Sequence, residues 1–165
     1  MNIKLLSALA AAAMLSACAS EDTSGAATGA GAAGGMGAGS GLAGSVRPGS
    51  QEDLVANVGD RVFFALDSSS VGGDQRPVLE RQAAWLAQYP QVTVAMEGHA
   101  DERGTREYNL ALGQRRANAA RDILVSQGVS GGRISTISYG KDRPAALGSN
   151  EEAWAQNRRA VTVVR

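Results

Sequence analysis

The densest group of chemically capable side chains in this sequence is Gly98-His99-Ala100-Asp101-Glu102-Arg103-Gly104-Thr105. Downstream, Asn109 and Arg116 are seven residues apart. On a helix, at 100° per residue, they fall within ~20° of each other and share one stripe two turns apart. Asp101 sits in the segment that feeds this stripe, so a carboxylate, an amide and a guanidinium converge beside a helix N-terminus. Asp101 suits an ammonium group, while Arg116 and the helix-end amides suit a carboxylate. Together they would receive a zwitterion, such as one end of an amino acid. Two plainer readings stand beside this one. Asp101 and Arg116 can simply pair, with Asn109 capping a loop, as surface ion pairs commonly do at little energetic gain. His99, Asp101 and Glu102 can be read as metal ligands, although they are few and local. Arg115 points ~100° away from Arg116, so only one of the two can face the groove.

The elements that must position these residues follow from patterning. Arg61–Leu66 (RVFFAL) reads as an apolar, aromatic-rich strand. Asp74 can cap a helix that keeps Pro77 in its first turn, repeats apolar residues at Val78, Leu79, Ala83 and Leu86, and stops at Pro90. Val92–Glu97 reads as the next strand, ended by Gly98. Thr105 is a good N-cap with Glu107 favourably placed for the helix dipole. The helix it opens carries Tyr108, Leu112, Ala119, Ile123 and Leu124 on one side and ends at Gly128. Gly131-Gly132 turn into a strand over Ile134–Ser138, Glu151–Gln156 reads as a short helix, and Arg159–Val164 as a final strand. This predicts an α/β sandwich, βαβαβ(α)β, with a mixed sheet and helices on one face. The βαβ repetition favours parallel pairing; the last strand is free to run antiparallel.

Composition narrows the function classes. Lys+Arg and Asp+Glu are both 16, giving zero formal net charge. No excess positive field attracts phosphate backbones, so no nucleic-acid partner is expected. One Cys excludes an intrachain disulfide, and one His excludes a multi-histidine zinc site. With no nucleophile–base–orienter set in view, an enzyme is disfavoured and no cofactor is expected.

The N-terminal third reads differently. After Met1–Lys4, Leu5–Leu15 is an uninterrupted run of Leu, Ala, Ser and Met. Eleven helical residues span roughly 16 Å, about half of a ~30 Å hydrocarbon core, which suits a signal-peptide h-region and not a membrane span. Residues 1–17 are therefore expected to be a signal peptide. Residues 19–51 are almost entirely Gly, Ala, Ser and Thr without apolar periodicity, the pattern of a flexible, disordered tether. Its root-mean-square reach is about 30 Å. Residues 52–165 form the expected domain.

At this point the residues carry a resemblance. GHADERGTREYNLALGQRRANAARDIL, with SYGKDRPA and NRRAVTVV downstream, resembles the OmpA-like peptidoglycan-binding domain. Leu15-Ser16-Ala17-Cys18 resembles the lipobox of bacterial lipoproteins, in which the Cys is acylated and becomes the mature N-terminus. With the tether, the chain is similar to the lipoproteins of the Tol–Pal system. The resemblance implies lipidation (palmitate) at Cys18 and an outer-membrane address, Ala19 standing where Asp would signal inner-membrane retention. It implies that Asp101 and Arg116 hold the diaminopimelate of the peptidoglycan stem peptide, that Asn109 supports them, that Asp67 lies at the pocket edge, and that Arg159 closes the site. It implies peptidoglycan, TolB and other Tol proteins as partners, with roles in envelope integrity and cell division. The chain departs from the family at Ala65 and Leu66, where an Asp-Phe pair is usual, and at Arg106, where Pro is frequent. The competing class is an envelope adaptor acting through protein–protein contacts.

Overall fold

A computed structural model of the protein describes residues 46–165. The expected signal peptide, Cys18 and nearly all of the expected tether lie outside the described residues. A short helix, α1 (Gln51–Asp53), continues through a π-type turn, Leu54–Val58. Then come β1 (Arg61–Phe63), α2 (Arg76–Gln88), β2 (Val94–His99), α3 (Arg106–Ser126), β3 (Ile134–Gly140), α4 (Glu151–Asn157) and β4 (Arg159–Val164). The four strands form one mixed sheet in the order β1-β4-β2-β3. β2 and β3 pair in parallel, while β4 inserts antiparallel between β1 and β2. This is the expected α/β architecture, with β4 in the antiparallel sense left open by the sequence.

The topology fixes where a site can form. Because β4 runs against both its neighbours, the C-terminal ends of β1, β2 and β3 and the start of β4 share one end of the sheet. Loops leaving β1 and β2 therefore meet the turn that enters β4. α2 and α3 cover one sheet face, and between them lies the core of Leu54, Val62, Leu79, Leu86, Val94, Met96 and Leu124, all buried to within 1%. Each such side chain contributes on the order of 1.5–3 kcal/mol by leaving water. The sheet's inner face also buries Thr162, whose hydroxyl donates to Gln82 Oε1 at 2.7 Å. Gln82 in turn donates to the Gly59 carbonyl at 2.7 Å, so this polar pair is satisfied inside the core.

Helix α3 lies unusually close to β2. A Cβ on Gly98 would stand 1.8 Å from the Gly113 carbonyl oxygen, a distance no side chain tolerates. The glycine pair brings the helix stripe down onto the strand end and so places Asn109 and Arg116 at the sheet.

Several boundaries shift for identifiable reasons. β1 ends at Phe63, not Leu66, because the chain curls into a turn at Ala65–Ser68, with Asp67 at φ 51°. α2 begins at Arg76; Asp74 spends its carboxylate on the Gln75 side chain instead of capping. The buried side of α3 is Asn109, Leu112, Gly113, Arg116, Ala117, Ala120 and Leu124, whereas Tyr108 is 44% exposed. The folded unit also starts before residue 52: Ser50 caps α1, and Gln51 bridges the Thr162 carbonyl and the Val164 amide.

Candidate functional site

The loop between β2 and α3 leaves the sheet at the convergent end and turns through Gly104 at φ +90°, a conformation that favours glycine. Thr105 then caps α3, accepting from the Tyr108 amide at 3.2 Å. This turn, the top of α3 and the loop after β1 enclose a cavity of about 210 Å³. Its walls include Asp67 and Leu66 from the β1 loop, Asp101 and Arg103 from the β2 loop, and Tyr108, Asn109, Leu112 and Arg116 from α3. Four of the five residues assigned to the site by resemblance are thus brought together.

Arg116 is fully buried, yet no carboxylate lies within ion-pairing distance of it among the described residues. Its guanidinium instead donates to three carbonyls: Ser68 at 2.8 Å, His99 at 2.8 Å and Ala65 at 3.1 Å. It also lies 5.2 Å from the centre of the Phe64 ring. One side chain therefore ties the β1 loop to the end of β2. Burial, only partly countered by Asp101, lowers its pKa to about 10, so it stays charged at neutral pH. The plain Asp101–Arg116 pair considered from the sequence is not formed.

Asp101 is 5% exposed and takes its counter-ions elsewhere. Oδ1 accepts from the Arg103 amide at 3.1 Å and from Arg103 Nε at 3.2 Å. Oδ2 accepts from Arg103 Nη2 at 2.6 Å and from Arg158 Nη1 at 3.5 Å. Burial pushes the carboxyl up, but the Arg103 contacts and the weaker Arg158 contact outweigh it and hold Asp101 below the usual range. Asn109 lines the cavity and donates to the Arg103 carbonyl at 2.8 Å, so it fixes the loop that carries Asp101. At the edge, Asp67 accepts a hydrogen bond from the Tyr108 hydroxyl, pinning the β1 loop to α3.

Arg159 is a correction. It does not line the cavity. Ala160 and Thr162 direct their side chains into the core, so alternation along β4 sends Arg159 to the opposite sheet face. There it donates to the Asn157 and Arg143 carbonyls. Its neighbour Arg158, in the turn before β4, reaches Asp101 instead, while also donating to the Phe64 carbonyl at 3.0 Å and to Glu151 at 2.7 Å. Sequence reasoning missed Arg103, Tyr108 and Arg158 as site residues. Arg103 was signalled only by standing two positions from Asp101 in a tight turn.

His99 also faces away from the pocket, and neither ring nitrogen has a hydrogen-bond partner. Among the described residues, no three His, Cys, Asp or Glu side chains cluster as metal ligands. Among the same residues, no helix is long and apolar enough to cross a membrane.

Comparison with known proteins agrees with this architecture. Residues 63–158 match the OmpA family. The peptidoglycan-associated lipoprotein of Rhizobium meliloti (strain 1021) is 61% identical over 122 residues, covering 74% of this chain and 69% of its own. That of Agrobacterium fabrum (strain C58 / ATCC 33970) is 60% identical over the same length and coverage. The crystal structure of the peptidoglycan-associated lipoprotein from Burkholderia pseudomallei superposes with a TM-score of 0.64 at 42% identity, covering 68% of this chain and all of that one. With its sheet order, its helices and its sequence in agreement, the chain belongs to the OmpA family, among the peptidoglycan-associated lipoproteins.

Proposed function

We propose that this protein is an outer-membrane lipoprotein that binds the peptidoglycan stem peptide non-covalently and so joins membrane to cell wall. The observation that carries the reading is that ionised Asp101 and charged, buried Arg116, not bonded to each other, stand in the walls of one small cavity. The ligand is the zwitterionic end of diaminopimelate: its ammonium goes to Asp101 and its carboxylate to the Arg116 side, with Asn109 and Asp67 holding the two loops in register. That its relatives are peptidoglycan-associated lipoproteins supports both the anchor and the wall.

Attachment is bivalent. Acyl chains on Cys18 hold one end at the outer membrane, the residues between Cys18 and the folded domain span the gap, and the domain, which begins near Ser50, faces the periplasm. Confinement raises the effective concentration of stem peptide, so a modest pocket suffices. The protein works non-catalytically within the Tol–Pal system, with TolB and other Tol proteins as partners, in envelope integrity and cell division. Sedimentation with purified peptidoglycan tests the reading. The wild-type chain is expected to co-sediment, and a diaminopimelate-containing tripeptide is expected to compete it off. Failure of both would leave the adaptor role as the better account.

A further inference from the structure

Asp101 is the group that the proposed ligand's ammonium must reach, and it is already occupied. A carboxylate offers about four lone-pair directions. Here four contacts fill them, three from Arg103 and one from Arg158. An ammonium can approach only if one guanidinium withdraws. Arg158 is poorly placed to do so, being 8% exposed and anchored to the Phe64 carbonyl and Glu151. Arg103 is different. Its side chain is 34% exposed, lines the cavity, and lies 4.0 Å from the centre of the Trp154 ring with Glu151 also 4.0 Å away. It can leave Asp101 while keeping an aromatic face beneath it.

We propose that Arg103 is a specificity-determining residue, an internal cation that yields Asp101 only to a ligand bringing a carboxylate together with its ammonium. The inference rests on the stem-peptide reading above. A ligand with an ammonium alone exchanges one cation for another at Asp101 and leaves Arg103 with only exposed Glu151, so it gains little. A zwitterionic end offers its own carboxylate to the displaced Arg103 as well as to the Arg116 side. Binding then forms two ion pairs, ammonium with Asp101 and ligand carboxylate with Arg103, for the single two-pronged Arg103–Asp101 pair it breaks. The filter rejects a lysine-type terminus because of what Arg103 would lose, with no steric clash required.

Titration calorimetry of the full chain in detergent tests this, with L-Ala-D-γ-Glu-meso-diaminopimelate and L-Ala-D-γ-Glu-L-Lys as probes. Wild type is expected to prefer the diaminopimelate peptide by roughly tenfold or more, the worth of one charge-assisted contact. Arg103→Ala exposes the Asp101 charge, so the lysine peptide should bind about five- to tenfold tighter and the preference should shrink to about threefold or less. Arg103→Gln, which keeps a hydrogen bond to Asp101 without the charge, should move in the same direction and serves if circular dichroism shows Arg103→Ala to be misfolded. An unchanged preference in a folded variant would overturn the proposal, and so would loss of diaminopimelate binding without any gain for lysine. If wild type binds neither peptide, the stem-peptide reading itself fails, and this inference with it.

Discussion

The end of β1 and the loop after it serve two depressions: Leu66 and Asp67 line one, while Phe63, Phe64 and Ala65 line the other. The second, closed by Ala155 and Gln156 of α4, is the larger at about 520 Å³ against about 210 Å³. Its walls are mostly apolar and carry one charge, Asp74. The smaller holds two carboxylates and two guanidiniums, and Asp101 and Arg116 are among the most buried ionisable groups described. Volume follows how loosely apolar side chains abut, whereas chemistry follows where the backbone can hold charges out of water. Burying Arg116 requires three carbonyls turned toward one point, which the convergent loops at this end of the sheet provide.

The largest test of that distinction removes the tie. Arg116→Ala leaves the buried His99 carbonyl and the partly buried Ser68 and Ala65 carbonyls without their donor and empties a large buried side-chain volume. It should destabilise the domain by about 3–5 kcal/mol in urea unfolding. Arg116→Lys, which keeps charge but fewer donors, should cost less, and exposed Arg115→Ala should stay within about 0.5 kcal/mol. Stability equal to wild type in Arg116→Ala would mean that the pocket is no better braced than the groove.

Next in size is an acid effect that separates scaffold from ligand chemistry. Burial, then the nearby Arg159 cation, depresses the His99 pKa to about 4. At neutral pH its ring is uncharged, and its 3.9 Å approach to Glu97 is not an ion pair. The unfolded chain binds this proton near pH 6.5, so folding loses stability as pH falls from about 6.5 to 4, by about 3 kcal/mol at most. His99 is the only histidine in the chain, so His99→Phe should flatten that limb of a melting-temperature profile. A slope unchanged in His99→Phe would assign the acid sensitivity to other groups.

Asp101 shifts in the same direction but titrates in a more acid range. Its folded pKa is lowered, so its stabilisation is complete above the unfolded carboxylate value and disappears only as pH falls through the folded one. Stem-peptide affinity should therefore hold level from pH 7 to about 5 while the melting temperature is already declining. Asp101→Asn should lower affinity roughly ten- to a hundredfold at neutral pH with the fold retained, since the amide oxygen can still accept from the Arg103 backbone. Calorimetry alongside circular dichroism checks both. Level binding in a folded Asp101→Asn would remove this carboxylate from the site.

These outcomes also show what was readable without coordinates. The α3 stripe was legible because seven residues make nearly two turns, and Asn109 and Arg116 do share a wall with Asp101. The four strands and the helices α2, α3 and α4 followed from periodicity, although Asp74 does not cap α2 and α1 carried no such signal. The neighbours of the charges were not legible. Whether Asp101 meets Arg116, Arg103 or Arg158 depends on rotamers and on a turn at positive φ, neither of which has a periodic signature. The choice between Arg158 and Arg159 depends on which residue β4 first commits to the sheet. A shift of one position reverses the face.

The smallest expected effect is in the groove itself. Ala155 lies on α4 and is partly exposed along the groove wall, so Ala155→Leu adds apolar volume into open space. Leucine suits a helix nearly as well as alanine, so stability should change by less than about 0.5 kcal/mol. Stem-peptide affinity should stay within about twofold, because no charge in the pocket is touched. The two regions do share α4, whose Glu151 pairs with Arg158 and whose Trp154 supports Arg103. If Ala155→Leu shifts affinity tenfold in a folded protein, α4 transmits groove occupancy to Asp101 and the two depressions act as one site. Affinity near wild type keeps them separate and leaves the small charged pocket as the place where ligand chemistry occurs.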